Sequence, residues 1–204
     1  MVTPPPTRSA TLPALVYVLA AFGVISGSYG ALNAVQSAAL FAKPREVYLS
    51  IVTAKNEPLK GLVDDKTLER YDAHEADARY GRRNAALPIA GIGIVLSCLM
   101  FAGAMRAMRG DGWGLSAWRF AAAANIPYQL VSLAFAWVIA RDMKSALAEL
   151  PPMAKLWVGS GAFYASIGFC AVAIVYYGIC VIYLRTPGVR TAFSVAAGRT
   201  PPSA

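Results

Sequence analysis

The chain has 204 residues, 57% of them hydrophobic and only 15% charged, with a formal net charge of +8. Soluble domains carry about 25% charged residues. Long uncharged blocks cause the deficit, and the basic residues flank those blocks without forming an aromatic-interleaved stripe, so nucleic acid is excluded as a partner. Cys98, Cys170 and Cys180 all lie in apolar runs and give no disulfide framework.

Residues 1–11 read as a flexible tail, with Pro4, Pro5 and Pro6 favouring an extended form. The apolar run that follows is too long, and its basic flank too thin, for a cleaved leader. The first span is expected at about 12–40, a stretch with no Asp, Glu, Lys, Arg or His. A bilayer core needs only roughly 20 helical residues, so this span can tilt or project. Gly23, Gly27 and Ala31 recur every fourth residue. They form a small-residue helix-packing face, expected to meet this chain's own helices in preference to a second copy.

Residues 41–83 change character, with nine Lys/Arg and eight Asp/Glu. Glu57-Pro58 and Gly61 mark a bend. Asp64 or Asp65 can cap a following helix, in which Leu68, Tyr71, Glu75 and Ala78 recur at helical spacing and Glu75 and Arg79 form an i,i+4 pair. The expected form is a helical extramembrane hairpin continuous with the first two spans. Asp72, His74, Glu75 and Asp77 lack the one-face i,i+4 spacing of a zinc helix and read as a solvated face.

The second span is expected at about 85–105. The link after it carries Arg106, Arg109 and two tryptophans, Trp113 and Trp118, suited to the headgroup interface. The third span, about 119–140, contains Asn125, Pro127, Gln129 and Ser132. Pro127 removes a helix hydrogen bond and predicts a kink. Asn125 and Gln129 share a face, as interhelical amide contacts or, alternatively, as a polar ligand site with Ser132. The fourth span, about 156–184, includes Gly159, Gly161, Gly168 and Gly178, and a basic, acid-free tail follows over 185–204.

These features predict an all-α integral membrane protein: one membrane domain over 1–204, built as a four-transmembrane-helix bundle with an extramembrane helical hairpin between the first and second spans. The sole histidine, His74, lies in the charged segment, so bis-histidine haem within the membrane is excluded. The central parts of the spans carry no ionisable group of the kind ion-coupled transporters use. Neither a nucleophile elbow nor a P-loop occurs, and no metal or cofactor is expected. The expected function is therefore non-enzymatic: a scaffold or accessory subunit with membrane lipids and a protein partner, or a second copy, as partners. The alternative is a small transporter or channel with a polar pathway near Pro127. The short loops suit a bacterial inner membrane. The acid-poor termini and second link favour cytoplasmic termini, although the larger Lys/Arg count lies in the 41–83 segment.

Overall fold

The computed structural model describes residues 12–156, 158 and 161–196, without the side chains of 161 and 162. The tail at 1–11, the end of the basic tail at 197–204 and Gly159 lie outside the described residues. Among the described residues every regular element is helical: α1 (Ala14–Phe41), α2 (Arg45–Asn56), a short 3₁₀ turn (Glu57–Leu59), α3 (Asp65–Tyr80), α4 (Arg83–Ala107), α5 (Gly112–Asp142), α6 (Lys144–Glu149), α7 (Pro152–Lys155), α8 (Gly161–Tyr183) and α9 (Pro187–Ala196).

Four helices, α1, α4, α5 and α8, are long and apolar enough to cross a membrane. Only 11% to 33% of each apolar stretch is buried. Phe22, Ile25, Tyr29, Val172 and Ile182 are among the large apolar side chains left exposed. So much outward apolar surface suits a lipid environment and would aggregate in water.

The described residues divide into two compact units. The first comprises those within 1–30, 96–125 and 176–204. Its interior combines small buried residues, Val16, Ala20, Ala104, Ala107, Ala121 and Ala122, with larger ones, of which Trp118, Met100 and Leu184 are fully buried. Glycines set the approach distances. A Cβ on Gly103 would lie 2.6 Å from the Trp118 backbone nitrogen, and one on Gly114 would lie 2.5 Å from that of Ala107. The α4–α5 connection turns at Gly110, whose φ of +77° favours glycine.

This unit differs from the sequence expectation in two places. Helix α5 begins at Gly112, so most of the expected link is helix. Trp118 is consequently a core residue, whereas Trp113 stays exposed. The segment after Arg185, read as a tail, contains α9, anchored by the buried Val189 and Phe193.

The second unit comprises 31–95 and 126–175. Here α1 and α2 are separated by a break at 42–44, and α3 and α4 by Gly81-Arg82, where sequence reasoning expected continuous helix. Pro44 explains the first break: it disfavours helix at Lys43 and starts α2 in extended geometry, with φ −65° and ψ 159°. One apolar core joins Leu59, Val63, Leu68 and Tyr71 to Ile139, Met143, Leu150 and Ala154. Helix α5 runs through Pro127 as one continuous element.

Candidate functional site

The densest polar constellation lies between α2 and α3. Asp64 starts α3 by accepting a hydrogen bond from the Thr67 backbone N–H at 3.0 Å. Gly61, at φ +90°, allows the turn that precedes it. The two helices pack antiparallel, because Arg45 at the start of α2 meets Asp77 near the end of α3 at 2.6 Å, and Asn56 at the end of α2 meets Asp72. Tyr48, Val52 and Ala76 form the apolar part of the contact.

Beside this apolar patch lie three fully covered polar side chains, Asn56, Asp72 and Glu75. Asn56 Nδ2 donates to Asp72 Oδ1 at 2.8 Å and to Glu75 Oε2 at 3.3 Å. Lys55 Nζ donates to Glu75 Oε1 at 3.1 Å, and Arg79 Nε lies 2.9 Å from the same oxygen. Burial pushes the Glu75 carboxyl up, but Arg79, Lys55 and Asn56 outweigh it and hold it below the ordinary carboxylate value. The hydrogen bond from Arg45 likewise lowers Asp77, while burial raises the Tyr48 and Tyr71 phenols.

Glu75 thus takes two cations, whereas Asp72 is held by the neutral Asn56 amide. The cations are the accessible members: the Lys55 and Arg79 side chains are 55% and 37% exposed, against 3% for Glu75. This arrangement can fasten two helices in one register. It offers no nucleophile and no open acid–base pair. Among the described residues, no group of three or more His, Cys, Asp or Glu side chains could hold a metal ion.

The solvated-face reading of α3 therefore needs correction. Asp72 and Glu75 point into the α2 contact, and only His74 and Asp77 lie on the exposed face. The signal was present in sequence. Leu68, Tyr71, Asp72, Glu75 and Ala76 form one stripe at three- and four-residue spacing, with the acids inside it. Asn56 carried no such signal, since its role depends on where α2 ends.

A second set of contacts fastens α3 and the start of α4 to the end of α5. His74 Nε2 donates to the Asp142 carbonyl at 3.1 Å, and Arg82 Nε donates to the Asp142 carboxylate at 2.8 Å. Thr67, Arg70, Tyr71 and His74 face Ser145 and Glu149 across a cleft of about 240 Å³. Glu46, Ser50, Thr53, Glu57 and Lys60 line a separate shallow groove of about 500 Å³ along α2.

The residues singled out within the third span are differently engaged. Asn125, in the first unit, is buried and its Nδ2 donates to the Ala121 carbonyl of its own helix at 2.8 Å. Gln129, in the second, accepts from Cys170 Sγ at 3.5 Å. The Ser132 hydroxyl is buried with no hydrogen-bond partner among the described residues.

Gly23 faces Ala104, Trp118 and Tyr176, and Gly27 faces the Ser97–Phe101 backbone of α4. Ala31 is half-buried in the second unit. Comparison with protein-family models, with curated proteins and with solved structures yields no match to this chain.

Proposed function

We propose that this chain is a non-enzymatic membrane scaffold or accessory subunit. In this reading its four spans form a bundle, and α2 and α3 form an extramembrane hairpin that recognises a protein partner. The carrying observation is the buried Asn56–Asp72–Glu75 cluster. It fixes the pair of helices internally while Val47 and Ile51, 40% and 43% exposed, remain on the outside of α2. Fixed register with outward apolar side chains one turn apart is the physical requirement for a recognition surface. We place the protein in a bacterial inner membrane with both termini cytoplasmic, because the terminal segments are basic and almost free of acid.

The test is native mass spectrometry of gently solubilised full-length protein beside a Val47→Glu/Ile51→Glu variant. A stoichiometric partner or second copy bound to the wild type and lost from the variant is expected. A wild-type monomer with no stoichiometric protein partner refutes the reading.

The unpartnered Ser132 hydroxyl favours one competing reading, a small transporter or channel whose pathway uses Asn125, Gln129 and Ser132. That reading requires a reconstituted solute flux that Gln129→Leu abolishes, and it fails if no tested solute crosses.

A further inference from the structure

The first unit has a second feature, independent of the α2–α3 pair. Its described residues contain five arginines, Arg106, Arg109, Arg119, Arg185 and Arg190, and a single acid, Asp111. That acid is occupied, because Arg106 Nε lies 2.6 Å from Asp111 Oδ2. Among the described residues, Arg109, Arg119, Arg185 and Arg190 have no carboxylate within salt-bridge distance.

These side chains lie at the α4–α5 turn, on the first turns of α5, and along the α8–α9 segment, whose far end reaches back to that turn. Arg106 ends α4, Arg109 lies in the α4–α5 turn, and Arg119 follows two turns into α5. Arg185 lies between α8 and α9, and Arg190 is on α9. A Cβ on Gly110 would meet Ala196 Cβ at 3.0 Å, so α9 lies against the α4–α5 turn. Val189 and Phe193 are buried, holding α9 in place and leaving Arg190 exposed.

Two observations set the chemistry of the partner. The arginines border lipid-type surface: Phe120, beside Arg119, is 62% exposed, and Ile182, three residues before Arg185, is 72% exposed. Trp113 is exposed at the same border, with the Arg106 guanidinium 4.8 Å from its ring centroid. Tryptophan with arginine at an apolar edge marks the depth of the headgroups. Moreover, every cation in the set is a guanidinium, whose planar fork matches two phosphate oxygens at once.

We propose that this arginine-bordered end of the first unit binds the phosphates of anionic phospholipids. The four arginines without carboxylate partners supply the recognition, and α9 carries one of them to the site.

The full-length protein in mild detergent is titrated with phosphatidylglycerol and, separately, with phosphatidylcholine of the same chains, and bound lipids are counted by native mass spectrometry. The wild type is expected to retain phosphatidylglycerol preferentially. Arg109→Gln/Arg185→Gln/Arg190→Gln weakens that binding by about five-fold per guanidinium removed, and added salt weakens it further. A control triple from the second unit, Lys43→Gln/Lys60→Gln/Lys66→Gln, leaves it unchanged. Equal binding of the two lipids to the wild type overturns the proposal, as does equal loss in both triples. Displacement of phosphatidylglycerol by millimolar inorganic phosphate also overturns it, by revealing a free-anion site. Arg190→Gln alone, at an exposed position, gives the same reading if the triple variant does not fold.

Discussion

Glu75→Ala tests the physical account of the α2–α3 pair most directly. The substitution removes the carboxylate that Lys55, Asn56 and Arg79 share at 3.1, 3.3 and 2.9 Å. Breaking a buried pair by deleting one partner costs about 3–5 kcal/mol. Here the bereaved cations are 55% and 37% exposed and rehydrate in place, so the cost falls to about 2–3 kcal/mol, carried mainly by the lost hydrogen bond to the covered Asn56. Amide hydrogen exchange over 48–56 and 68–76, in detergent or nanodiscs, reads the opening of the pair. Exchange should accelerate by about 30- to 150-fold. Asp77→Ala breaks the open Arg45–Asp77 pair and serves as the control, with a smaller effect that salt abolishes. If Glu75→Ala accelerates exchange no more than Asp77→Ala does, the buried cluster is not what holds the helices together.

The same site predicts an acid limit. The folded Glu75 value lies below the ordinary one, so its contribution is complete above the unfolded value of about 4.3 and is lost as pH falls through the folded value. Exchange over α2 and α3 should rise below that pH in the wild type and respond less in Glu75→Gln. In the first unit, Gly27→Val puts a Cβ 2.8 Å from both the Phe101 nitrogen and the Ser97 oxygen. Rigid backbone cannot yield there, so thermal unfolding in detergent should show a loss of about 1–3 kcal/mol. Gly168→Ala, with nothing within 4 Å, should be neutral in the same measurement. Tyr176→Phe removes the 2.9 Å hydrogen bond to the Leu19 carbonyl and should cost about 0.6–1.7 kcal/mol in that assay.

The four helices long and apolar enough to cross a membrane were legible in sequence because spanning lipid imposes a coarse rule: uncharged apolar residues over a bilayer's width. Spans expected at 85–105 and 119–140 correspond to helices Arg83–Ala107 and Gly112–Asp142, which overrun them at both ends. Hydropathy locates the apolar stretch, whereas helix hydrogen bonding continues until a turn such as Gly110 stops it. What composition could not supply was the identity of the neighbours. Trp118 reads as an interfacial residue until Gly103 and Gly23 are seen to clear space for it. Asp72 and Glu75 read as solvated because acids usually are. The stripe they share with Leu68, Tyr71 and Ala76 marks the covered face, but their partner Asn56 arrives from another helix, and no local pattern encodes that meeting.

The two units place charge in opposite ways. In the second, Glu75 is covered and its cationic partners Lys55 and Arg79 face outward, while the covered Asp72 accepts from Asn56, so these acids are satisfied within the chain. In the first, one acid meets five arginines, and after Arg106 takes Asp111 the remaining positive charge has no internal counterpart among the described residues. Repulsion among like charges disfavours such an arrangement unless counterions or anionic groups gather there. An amphipathic α9 that buries Val189 and Phe193 yet exposes Arg190 adds to that excess. Folding alone would be served equally well by a neutral side chain at Arg190. Its cation acquires a role once the surroundings supply phosphate, whereas the neutral side chain would leave that interaction unmade.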